Sequence, residues 1–152
     1  MNADQTQYWK ERIALAIDDI EDSSDPKIVS RSAQLIENFL KQFRTQPEIV
    51  ESLLGSHRSG IIATLLNTAT SNNPFVLSAS IGLLAELDSS EGYEVAADAI
   101  NSSNPYVREA GIRLFGITAP DSALEDLIPL LDDAHRPAGV AAVRAITKRM
   151  FK

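Results

Sequence analysis

SSNPYVREAGIRLFG, residues 102–116, decides how this chain is read. It joins an Asn-Pro pair directly to an apolar stripe that carries arginines, and the arrangement recurs. A shift of 31 residues towards the amino terminus places Asn104 and Pro105 on Asn73 and Pro74. The same shift puts Val107 on Val76, Ala110 on Ala79, Ile112 on Ile81, Leu114 on Leu83 and Phe115 on Leu84. Shifted the other way, these columns read Ala138, Ala141, Val143, Ala145 and Ile146. The segment before each Asn repeats as well. Leu65, Ala96 and Leu127 align, as do Ala69, Ile100 and Leu131. Ungapped self-similarity over three units is an internal repeat.

Each unit reads as two helices. Val76, Ala79, Leu83 and Leu87 follow the 3.6-residue period of a helix with one buried face. Asn73 and Asn104 are suited to the N-cap, where the side-chain oxygen accepts an otherwise orphaned backbone N–H. Pro74 and Pro105 then occupy the first helical position, where the missing N–H costs nothing. The Asn-Pro pair is therefore a helix start. A two-helix unit of this size cannot bury its apolar face alone, so successive units must stack.

The run from Asn104 to Ala110, closing on Leu114, Phe115 and Gly116, resembles the second helix of a HEAT repeat, in the short-period phycobilisome-lyase form. The resemblance covers roughly residues 58–150. It implies an all-α fold, a right-handed α-solenoid of about four HEAT-like helical hairpins. Residues 58–152 would supply three 31-residue repeats within a single domain of residues 1–152. The pattern is interrupted where its arginine is expected after the valine: Arg108 holds that place, but Leu77 and Gly139 replace it in the other units. The third unit also begins differently, with Asp133, His135, Arg136 and Pro137 where the others have Asn-Pro.

Residues 1–57 are less regular and read as divergent helices capping one end of the stack. Trp9, Ile13, Ala16, Ile17 and Ile20 make one stripe. Asp25 and Pro26 start a second helix carrying Ile28, Leu35, Ile36, Phe39, Leu40 and Phe43, and Pro47 starts a short third one ending near Gly55.

Composition narrows the function. The chain has 152 residues, no cysteine and a net charge of −7. A disulfide framework and thiol chemistry are thereby excluded. Charge is unevenly placed: residues 86–133 hold eleven acidic and two basic residues, whereas residues 134–152 hold five basic and none acidic. An acidic body repels phosphate backbones, which disfavours general nucleic-acid binding. No basic-then-apolar leader opens the sequence, and no apolar run is long enough to span a bilayer, so a cytoplasmic location without a membrane partner is expected.

No Ser-His-Asp set, phosphate loop or His-carboxylate cluster stands out, so no enzyme activity, cofactor or metal is expected. His135 shares the column of Asn73 and Asn104 and reads as a turn or capping residue. His57, beside Arg58 and Ser59, reads as part of a solvated loop, with an anion at the next helix start as the competing reading. The acidic run Asp18–Asp25 lacks the alternating ligands and central glycine of a calcium loop, and reads as a solvated helix end with Lys27 or Arg31 as counter-charge, a partner-facing acidic patch being the competing reading.

The candidate binding surface lies opposite the apolar stripe of the second helices. There the columns read Ser78, Gly82 and Ala85; then Glu109, Arg113 and Gly116; then Val140, Arg144 and Thr147, with Lys148 beside them. Small residues flanked by arginines suit a groove for an acidic peptide or helix. The competing reading makes Gly116 a helix end or a point of close helix packing. The expected function is a non-catalytic protein–protein interaction scaffold or adaptor. The alternatives are a nucleic-acid-binding or DNA-repair-type HEAT-like module, or a phycobilin lyase or chaperone-like protein. Arg113 and Arg144 are expected to reach an acidic partner from successive helices, with pairing to an acid of the same chain, such as Glu109 one turn before Arg113, as the competing reading.

Overall fold

The computed structural model describes residues 2–151. Among these residues the secondary structure is entirely helical, with no strand. The α-helices are α1 (Ala3–Asp22), α2 (Pro26–Gln42), α3 (Pro47–Leu54), α4 (Arg58–Thr68), α5 (Pro74–Glu86), α6 (Tyr93–Ala99), α7 (Pro105–Thr118) and α8 (Arg136–Met150). Short 3₁₀ turns cover Gly55–His57, and a longer 3₁₀ segment covers Asp121–Leu130. Among the described residues no helix is long and apolar enough to cross a membrane.

Local chemistry accounts for the helix starts. The Asn73 side chain accepts from the N–H of Phe75 and Val76, and Asn104 does the same for Tyr106 and Val107. Asp25 accepts from Lys27 ahead of α2, and Asn2 forms a reciprocal capping box with Gln5 ahead of α1. His135 occupies the cap position of α8, but its side chain makes no capping bond. Asp133 acts instead, its Oδ1 accepting from the His135 N–H at 2.8 Å.

The helices stack in order. Helices α2, α5, α7 and α8 pack side by side in one layer. Against them lie α1 on α2, α4 on α5, α6 on α7 and the Asp121–Leu130 segment on α8, with α1 also touching α4. One contiguous core runs between the layers from Ile13 to Ala142. The repeated columns meet there: Val76, Val107 and Ala138 are all buried, as are Leu65, Ala96 and Leu127. Fully burying such an aliphatic side chain contributes about 1.5–3 kcal/mol.

Two local expectations change. The first half of the last unit is a 3₁₀ segment rather than an α-helix, and it contains Pro129. Proline lacks the N–H that an α-helix would use there, and its ring collides with the carbonyl four residues earlier. In α2 the buried stripe runs through Val29, Ala33, Ile36, Phe39 and Leu40, whereas Ile28 lies on the exposed side.

Candidate functional site: a charged groove along the second layer

A groove of about 910 Å³ crosses the layer formed by α2, α5, α7 and α8. Ala85, Gly116 and Ala145 line it between α5, α7 and α8, together with Ile117 and Ala141. One wall comes from the end of α2 and from α3, through Leu40, Arg44, Pro47 and Val50. The opposite wall is α8, which contributes Arg136, Val140, Arg144 and Lys148. These four follow one another at intervals of four residues, so they form a single ridge along the helix. Seven basic and four acidic side chains line the groove, a local positive balance in a chain whose net charge is −7.

Most of these charges are already committed. Arg113 donates to Glu86 at 2.5 Å and to Glu37 at 3.5 Å. Glu86 also accepts from Arg44 at 3.2 Å, and Glu37 is paired with Lys41 at 2.6 Å. Arg58 donates to the Leu87 carbonyl at 2.6 Å. An alternating network thus ties α2, α5 and α7 together across the groove. Arg136, Arg144 and Lys148 differ: among the described residues none of them has an ion-pair or hydrogen-bond partner on the protein.

Six of the nine expected binding residues line this groove: Ala85, Glu109, Arg113, Gly116, Arg144 and Lys148. Ser78 lies in a smaller hollow with Phe75 and Tyr106, and its hydroxyl donates to the Phe75 carbonyl at 3.2 Å. Thr147 is exposed on α8 outside the groove lining. Gly82 is buried. A side chain there would meet the Glu37 carboxylate, so the bare Gly82 backbone is what lets Glu37 lie across α5 and reach Arg113. A Cβ on Gly116 would fall 2.6 Å from that of Ala145, which makes Gly116 a point of close approach between α7 and α8.

Of the two arginines expected to reach an acidic partner, Arg113 follows the competing reading and has acids of its own chain at its head group. Arg113 is held by the protein's own carboxylates, because lateral packing brings Glu37 and Glu86 from two preceding helices to its head group. The free cations run along α8 instead of across the repeats. Arg136 was legible in principle from its four-residue spacing to Val140. Arg44 and Arg58 join the groove only through the tertiary fold.

Arg108 makes a separate cross-unit tie. Its Nε and Nη2 donate to the two oxygens of Asp133, both at 2.8 Å, and its Nη1 donates to the Ser102 carbonyl at 3.0 Å. The Arg108 hydrogen bonds hold the Asp133 carboxyl below its usual range, opposed by burial and helped by the His135 N–H. Among the described residues no group of three His, Cys, Asp or Glu side chains is placed to hold a metal ion. No family model matches the chain, and no curated protein matches it in sequence.

Proposed function

We propose that this chain is a right-handed HEAT-like α-solenoid that serves as a non-catalytic protein-interaction scaffold, and that its groove receives an acidic segment of a partner protein. The observation that carries this reading is the α8 ridge. Three cations with no partner among the described residues flank Val140, which is 39% exposed. Arg136 and Lys148 are twelve residues apart, about 18 Å along a helix. That span suits several carboxylates of one partner helix, with Val140 offering an apolar contact between them. The planar guanidinium groups favour bidentate bonds to carboxylate.

The sequence repeat and the regular side-by-side packing of α2, α5, α7 and α8 support the solenoid reading. A nucleic-acid role would draw on the same cations, but the body of the chain, at a net charge of −7, repels an extended phosphate backbone beyond the groove. The test is fluorescence anisotropy with a labelled glutamate-rich helical peptide, its glutamine counterpart and duplex DNA. The glutamate peptide should bind, weaken with added salt and be lost in the Arg144→Glu, Lys148→Glu variant at unchanged melting temperature. Equal binding of the glutamine peptide, or stronger binding of DNA, refutes the proposal.

A further inference from the structure

The charges that line the groove are not spread evenly along α8. Arg144 and Lys148 stand about one turn apart towards its carboxy-terminal end, both exposed and both without a partner among the described residues. At the amino-terminal end Arg136 stands alone, and an acid lies close by. Glu109 Oε2 is 3.5 Å from Nε2 of His135, the residue before Arg136, and Glu109 lines the groove. That His135 nitrogen makes no hydrogen bond among the described residues, so the Glu109 carboxylate keeps its capacity to accept one. Exposed Val140 lies between the two ends. The ridge is therefore purely basic at one end and mixed at the other.

A helix has a polarity that matches this gradient. Its first-turn N–H groups favour acids beside them, and its last-turn carbonyls favour bases. Helix α8 itself follows the rule, with Lys148 and Arg149 in its last turn. A partner helix running in the same direction as α8 would set its acidic start beside Glu109 and its basic end beside Arg144 and Lys148. Running the opposite way, it meets opposite charge at both ends. Its last carbonyls, which have no partner within the helix, then face the Arg136 guanidinium. The two macrodipoles also lie head to tail.

We propose that the partner segment is an amphipathic helix of about three turns that lies antiparallel to α8. This direction rests on the groove being the seat of an acidic helix, as proposed above. Lys148, Arg144, Val140 and Arg136 follow at four-residue steps, and a helix packed alongside presents its own ridge at the same steps. Two acids one turn apart at the start of the partner helix meet Lys148 and Arg144. An apolar residue one turn further on meets Val140. A base in the last turn faces Glu109, and the closing carbonyls reach Arg136.

Fluorescence anisotropy with two labelled peptides and the full chain tests this. One peptide carries two glutamates one turn apart, then a leucine one turn on, then a lysine in its last turn; the other has the same residues in reverse order. Both are acetylated, amidated and stapled on the outer face, so that helicity and net charge are equal. The first should bind about tenfold tighter, the effect of a few exposed ion pairs. Lys148→Glu should weaken that binding, and exchanging the first glutamate of the peptide for lysine should restore it. Equal binding of the two peptides, preference for the reversed one, or restoration only through the second glutamate overturns the antiparallel direction while leaving the acidic-partner proposal intact. Binding of neither peptide overturns both.

Discussion

Arg108→Ala should destabilise the protein by about 2–3 kcal/mol, more than an ordinary surface ion pair could explain. The side chains of Arg108 and Asp133 are 18% and 6% exposed, and two bonds of 2.8 Å join them in a fork. Breaking a buried pair by removing one partner costs about 3–5 kcal/mol, because the other charge stays behind unpaired. Here the cost is reduced, since Asp133 keeps the His135 N–H and can admit water once the guanidinium is gone. A chain of this size loses roughly 2–4 °C of melting temperature per kcal/mol, so a fall of about 5–10 °C is expected. Arg108→Lys restores the charge without the fork and should recover only part of the loss.

The pH dependence supplies a second reading of the same pair. The folded-state pKa of Asp133 is lowered, chiefly by the Arg108 hydrogen bonds. Its stabilisation is therefore complete above the ordinary carboxyl value of about 3.9, and is lost as pH falls through the lower folded value. Urea denaturation of wild type and Arg108→Ala should show a constant gap between about pH 7 and 5, narrowing below about pH 4. A variant that loses less than about 0.5 kcal/mol, the range of ordinary surface changes, would refute the reasoning. So would a gap that stays constant into strong acid.

Gly111→Ala should cost about 2 kcal/mol or more in chemical denaturation, because the new Cβ would press on Ala99 Cβ at 2.6 Å and on backbone at 3.0 Å. Gly82→Ala should be nearly neutral by the same measurement: it meets only the movable Glu37 carboxylate, and alanine is about 1 kcal/mol better than glycine within a helix. Asn104→Ala removes the cap that serves Tyr106 and Val107 and should lower stability by about 1 kcal/mol in a urea titration. Arg113→Glu should lower the melting temperature markedly by placing a third carboxylate beside Glu37 and Glu86, on the order of 2 kcal/mol. Arg144→Glu should leave it unchanged within about 0.5 kcal/mol, and equal effects of the two would contradict the assignment of the free cations.

The sequence by itself determined the helix starts, the 31-residue spacing and the core columns. These rest on short-range chemistry that the units of α5 and α7 repeat and that the last unit replaces with Asp133 ahead of α8. An Asn side chain reaches N–H groups two or three residues on, and the apolar period of a helix is set by its own geometry. Hence Asn73, Asn104, Val107 and Leu114 act as their spacing indicates. Only the tertiary structure decided what the outer columns do. Gly116 and Ala145 read alike as small residues, but their meaning comes from the close approach of α7 to α8. Arg113 and Arg144 share a column, yet Arg113 finds Glu37 on a helix 76 residues earlier, while Arg144 finds no acid among the described residues. A long side chain selects its partner by what neighbouring helices bring within a few ångströms. That lateral approach is a property of the assembled stack, which no single repeat encodes.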